Sequence, residues 1–210
     1  MRCIICNSPT TNETWYCSSC RLKDLARMPQ LVIGIAGKAR HGKTTVGQKI
    51  NEFFLAKNYS TFQRTVSDEV LAECHEKGDI HSSYAREKLN EPQLAKLIRR
   101  GQSRRAEDES YWLRKLSKSW LAINTTGVFV VNGLRFPNEL AWVKAAGGVT
   151  IHVTRRNADG SPFVSPDRAA TDDMETSLDD YYDYDYEIAH RTGQEKWLGL
   201  AARALAESLL

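Results

Sequence analysis

The chain has 210 residues and a formal charge of +3, with 41% hydrophobic and 26% charged residues. That length allows one substantial domain plus a small appendage, and the balance is that of an ordinary soluble chain. No apolar run reaches the roughly 18–20 residues of a membrane span, and the apolar pair Ile4-Ile5 sits between cysteines rather than in a signal peptide. These features predict a cytoplasmic protein without membrane contact.

Residues 1–27 read as a separate module. Cys3-x2-Cys6 and Cys17-x2-Cys20 are two knuckles ten residues apart. Four thiolates at that spacing suit the tetrahedral geometry of structural Zn²⁺; an iron site or a redox dithiol is the alternative. So short a segment cannot bury a core, and the metal would supply much of its folding energy. Such a module offers a contact for nucleic acid or protein. The fifth cysteine, Cys74, reads as an ordinary helix residue.

After a linker at Met28-Pro29-Gln30, Leu31 to Ala36 is a continuous apolar run, the mark of a strand buried on both faces. The segment Gly37-Lys38-Ala39-Arg40-His41-Gly42-Lys43-Thr44 fits G-x-x-x-x-G-K-[ST] between that strand and a helix predicted over 43–57. Its backbone N–H groups, from Gly37 through Thr44 and on to Thr45, would cradle the phosphates of ATP at the helix N-terminus. Lys43 would act on the β- and γ-phosphates, and the Thr44 hydroxyl would ligate Mg²⁺.

A second strand is expected over 61–66 and a helix beginning at Glu69, with Asp68 either its N-cap or a ligand for sugar or base. Residues 84–124 read as helical, with Pro92 starting a segment and Gly101 breaking one. They carry a basic cluster of Lys96, Arg99, Arg100, Arg104 and Arg105, which fits a solvated face, a nucleic-acid patch or an anion site. Trp112 is either a stacking platform for a base or a core residue. Further strands are expected over 127–132, 149–154 and 184–189, with helices over 138–146 and 195–209. Residues 157–180 read as a mobile excursion. Residues 167–187 hold nine acids (Asp167, Asp172, Asp173, Glu175, Asp179, Asp180, Asp183, Asp185, Glu187) against one base, Arg168. Alternating strands and helices predict an α/β fold with a parallel sheet covered on both faces.

Four further segments give the motif a context: Thr65 to Leu71; Gly101-Gln102-Ser103-Arg104-Arg105 running on to Tyr111-Trp112; Leu134-Arg135-Phe136-Pro137-Asn138-Glu139; and Glu175 with Leu178-Asp179-Asp180-Tyr181 and Asp185-Tyr186-Glu187-Ile188. Their order and spacing over 31–210 resemble the deoxynucleoside monophosphate kinases of bacteriophages; the cysteine module is outside that pattern. The resemblance implies a P-loop nucleoside monophosphate kinase domain over 31–210, with a five-stranded parallel sheet and a lid. It implies transfer of the γ-phosphoryl of ATP to a deoxynucleoside monophosphate, in the host cytoplasm if phage-encoded, and a homodimer as one option.

The chemistry agrees: joining two anions needs a P-loop for the donor and arginines for the acceptor. Arg135 is then a catalytic and acceptor-phosphate residue. Asp68, Arg104, Arg105, Trp112, Asn138, Glu139 and Glu175 are substrate-side candidates, and Arg155 and Arg156 lid candidates. The pattern's usual acid two residues before Arg135 is here Gly133, next to the neutral Asn132, which bears on Mg²⁺. The histidine and serine that often precede Glu175 are Asp172 and Met174. Two other readings stand beside the kinase: a zinc-ribbon nucleic-acid-binding P-loop NTPase, and an inactive nucleotide-binding relative.

Overall fold

The structure is a computed structural model that describes residues 3, 8, 10, 31–81, 88–123, 127–166 and 172–210. Its strands are β1 (Leu31–Ala36), β2 (Thr61–Thr65), β3 (Val128–Leu134), β4 (Val149–Arg156) and β5 (Tyr186–Arg191). Its helices are α1 (Lys43–Ala56), α2 (Val66–Glu76), α3 (Glu91–Glu107), α4 (Tyr111–Ile123), α5 (Pro137–Ala145), α6 (Asp173–Thr176) and α7 (Glu195–Ser208). Two compact units result, one of Ala26–Gln63 and Thr125–Leu210, the other of Met1–Leu25 and Arg64–Asn124.

In the first unit the five strands form one sheet in the order β2-β3-β1-β4-β5. β1 runs parallel to both β3 and β4, and β4 parallel to β5. The apolar runs of β1 and β3 place side chains on both faces. Ile33, Ile35, Val128, Val130, Ile151 and Val153 meet Val46, Ile50 and Phe54 of α1 and Leu198 and Ala202 of α7. On the opposite face Trp142 of α5 lies edge-on to Phe129, ring centroids 6.3 Å apart. This is the expected α/β architecture. Because β1 is flanked by β3 on one side and β4 on the other, the loop after β1 sits at the C-terminal edge where ligands of open α/β sheets collect.

The second unit packs Val70, Leu71 and Cys74 of α2 against Leu97 of α3 and Trp112 of α4. Two expectations are corrected here. The Thr65 hydroxyl accepts from Asp68 N–H at 3.1 Å while the Asp68 carboxylate accepts from Thr65 N–H at 2.7 Å. This capping box starts α2 at Val66, ahead of Glu69. Gly101 does not break α3: it is buried within the helix, and its carbonyl accepts from Trp112 Nε1 at 2.9 Å. The turn falls instead at Asp108 to Ser110.

Glu73 of α2 is a buried carboxylate of this unit, its side chain 2% exposed. It accepts from Tyr111 Oη, from Arg104 Nε at 3.0 Å and pairs with Lys115 Nζ at 3.2 Å. Burial opposes its charge, but these donors outweigh burial and hold its pKa down to about 2. Removing one partner of such a buried arrangement leaves uncompensated charge, so Glu73→Ala should cost roughly 3–5 kcal/mol of stability. A depressed pKa contributes stability that is fully present above the unfolded-state value and lost as pH falls through the folded one. The gap between wild type and Glu73→Ala in denaturant melts should therefore be full at pH 6 and shrink toward pH 2.5. A gap that stays constant with pH would assign the cost to packing alone.

Candidate functional site

The loop after β1 has the backbone its motif demands. Gly37 has φ 139°, Arg40 58° and Gly42 94°, all in the left-handed region. At Gly37 a Cβ would lie 2.3 Å from the Val153 carbonyl oxygen, so no side chain fits. The loop leads into the start of α1, where the helix dipole favours an anion. Lys43 is the first helical residue and is 9% exposed; its Nζ donates to Lys38 O at 2.6 Å, a carbonyl of the loop itself. Thr44, beside it, is exposed, and Thr45 half-buried.

Arg135 comes from the end of β3. There the register with β1 shifts, Ile35 opposing Asn132 and Ala36 opposing Leu134, so Gly133 forms a bulge. Gly133 has φ 78°, a conformation costly for any side chain. The Arg135 N–H donates to Glu139 Oε2 at 2.7 Å and Phe136 N–H to the same atom at 3.3 Å. The Glu139 carboxylate, 2% exposed as a residue, is thus turned back on the N-terminus of its own helix, where it fixes the chain leaving β3. The Arg135 guanidinium donates to Glu175 Oε1 at 2.8 Å and to Met174 O at 3.1 Å. The other oxygen of Glu175 accepts from Ala39 N–H at 2.8 Å. Glu175 therefore joins Arg135 to the phosphate loop, and Lys38 pairs with Asp179 at 2.6 Å beside it. The constellation thus sets a guanidinium and an ammonium beside the loop, each paired with a carboxylate.

No family model and no curated protein matches the chain. Among solved structures it is similar to a shikimate kinase from Aquifex aeolicus, with 16% identity, a TM-score of 0.38, and coverage of 85% of this chain and 98% of that one.

His41 is buried at the back of the loop. Its Nδ1 accepts from Arg155 N–H at 3.2 Å, and its carbonyl accepts from His190 Nε2 at 3.0 Å. Burial, opposed only in part by backbone carbonyls, lowers its pKa to about 4, so the imidazole is neutral at physiological pH. As a neutral ring it brings no positive charge to the loop. Arg155 stacks on the Phe163 ring at 4.2 Å and donates to Arg40 O and Thr192 Oγ1, each at 3.2 Å. Arg156 donates to Gly160 O at 3.1 Å. The start of the expected excursion is thus a closed turn, with Asn157 N–H on Ser161 O at 2.9 Å, and its far end forms α6.

The remaining candidates lie as follows. Thr44 can offer its hydroxyl to Mg²⁺. Gly133 supplies no carboxylate, and Asn132 is 3% exposed with its side chain against Gly47 of α1. A cation there would take its other ligands from phosphate and water. Asn138 is half-buried at the start of α5. In the helical unit, Asp68 caps α2, Arg104 binds Glu73 and Glu107, Arg105 is half-buried, and Trp112 is 1% exposed in the core. Cys3 is buried, with its N–H on Ser8 O at 2.8 Å, and Cys6, Cys17 and Cys20 lie outside the described residues. Among the described residues no group of three or more His, Cys, Asp and Glu side chains could hold a metal, and no helix could cross a membrane.

Two recesses, of ≈ 210 Å³ and ≈ 490 Å³, flank the loop over β4 and β5. His152, Thr154 and Glu187 line the first; the sequence offers none of them as a site candidate, although Glu187 stands in the Asp185-to-Ile188 segment. Their signal was polar side chains alternating with Ile151, Val153 and Ile188 on strands otherwise facing the core.

Proposed function

We propose that the chain transfers the γ-phosphoryl group of ATP to a deoxynucleoside monophosphate. The observation that carries this is Arg135 held by Glu175 against the phosphate loop: a fixed guanidinium beside a triphosphate cradle. An arginine fixed beside a triphosphate loop suits the second phosphate that an acceptor nucleotide brings. The likeness of 31–210 to phage deoxynucleoside monophosphate kinases supports the same reading.

In this mechanism the loop amides and the α1 dipole seat the donor phosphates. Lys43 leaves the Lys38 carbonyl and follows the charge that develops on the transferring group. Arg135 orients the acceptor phosphate, so that its oxygen stands in line with the γ-phosphorus. Glu175 restrains Arg135, and the Glu139 cap restrains the backbone beneath it. The Thr44 hydroxyl would hold Mg²⁺, which would supply neutralisation of phosphate charge.

The test is ADP formation with ATP and each common nucleoside monophosphate in turn. Dependence on at least one deoxynucleotide is expected. Hydrolysis stimulated by DNA, without any monophosphate, would favour a nucleic-acid-dependent NTPase instead.

For the amino-terminal module we propose one structural Zn²⁺ on Cys3, Cys6, Cys17 and Cys20. Four thiolates leave no open position for a catalytic water. Elemental analysis of protein purified without chelators should give one zinc per chain, reduced in Cys17→Ser; an absence of zinc in wild type would refute it.

A further inference from the structure

We propose that the ≈ 210 Å³ recess beside the phosphate loop receives the base of the acceptor nucleotide, with Tyr182 as its stacking platform. This rests on the kinase reading above and adds where the acceptor's ring goes. The lining holds both cations, Lys38 and Arg135, and an apolar and aromatic set, Leu178, Tyr181 and Tyr182. A phosphate monoester that carries an aromatic ring needs both kinds of partner.

The aromatic wall is built rather than incidental. Tyr184 stacks on His152 with centroids 4.4 Å apart and an interplanar angle of 14°, and Tyr181 sits edge-on to Tyr184 at 4.9 Å. Tyr182, next in line, is 81% exposed. A ring left in water at the rim of a recess can be covered by a ligand, and a nucleobase presents a π-face whatever its identity. Burial lowers the pKa of His152, and its Nδ1 faces Glu187 Oε1 at 3.8 Å, so one of its ring nitrogens is already engaged. Asp179 and Glu187 at the same recess disfavour a polynucleotide backbone. In the helical unit the ring that sequence offered for stacking, Trp112, is 1% exposed and hydrogen-bonded to Gly101, which leaves it no open face.

The experiment is equilibrium dialysis of the full chain with tritiated dAMP, dCMP, dGMP and dTMP, and with deoxyribose 5-phosphate as the ligand that lacks a base. Tyr182→Ala should weaken the preferred monophosphate about tenfold. It should leave deoxyribose 5-phosphate and ATP within twofold, while Tyr182→Phe keeps wild-type affinity. Because Tyr182 is exposed, neither variant threatens the fold. Unchanged monophosphate affinity in Tyr182→Ala would overturn the assignment, as would an equal loss for the base-free phosphate or a loss confined to ATP. Wild type that binds none of the four would overturn it too. Binding needs no turnover, so the two claims separate. Protein that shows the tenfold effect but never transfers phosphate refutes the kinase reading alone, and protein that transfers phosphate with Tyr182→Ala unaffected refutes the recess alone.

Discussion

Lys43→Ala should lower kcat by about 10³-fold while the protein stays folded. Lys43 opens α1; the residue is 9% exposed and its ammonium donates to the Lys38 carbonyl of the loop. In the ground state that carbonyl satisfies it. In the transition state its charge faces oxygens that gain charge, and a preorganised donor lost from such a place costs on the order of 10²–10³ in rate. A lysine adds its charge as well, which puts the expectation at the upper end. The thermal midpoint should change little, because truncation removes a charge from a poorly hydrated place and leaves the contacts of Val46, Ile50 and Phe54 intact. Near-wild-type turnover in folded Lys43→Ala would place the chemistry elsewhere.

Arg135→Ala should lower kcat/KM for the acceptor by roughly 30- to 1,000-fold, which corresponds to about 2–4 kcal/mol of transition-state binding. Two losses combine. The guanidinium contact to the acceptor phosphate disappears, and Glu175 keeps its negative charge on the loop amide of Ala39 without the cation that offsets it. Arg135→Lys should recover only part of the activity, since a compact ammonium on a shorter stem does not reproduce the planar guanidinium whose Nη1 donates to both Glu175 and Met174 O. The KM for ATP should move much less, because Arg135 stands on the end of β3 and the donor loop on the end of β1. Kinetics in which only ATP affinity falls would assign Arg135 to the donor side.

Much of this site was legible in the sequence because local rules agreed. An apolar run of six residues, a glycine-bounded loop and an amphipathic helix each pointed to the β1–loop–α1 unit, and it formed within one residue of expectation. What escaped was decided by distant partners. Gly101 reads as a breaker from composition, yet Trp112 eleven positions away bonds its carbonyl inside a continuous helix. Glu139, offered by the sequence as a substrate-side residue, also caps its own helix α5, a local contact that its spacing from Phe136 carries. The early start of α2 was recoverable, since Thr65-x-x-Asp68 is a capping-box pattern. The aromatic recess was not, because Tyr181 and Tyr182 meet His152 and Thr154 only through the pairing of β4 with β5.

The central claim is that phosphate passes directly from ATP to a nucleoside monophosphate at the Lys43–Arg135 site. The measurement that tests it most directly follows the label from [γ-³²P]ATP by thin-layer chromatography with each deoxynucleoside monophosphate present. The predicted result is label in one deoxynucleoside diphosphate, in step with ADP formed, and absent with Lys43→Ala. Label appearing only as inorganic phosphate, at a rate indifferent to every monophosphate, would contradict it.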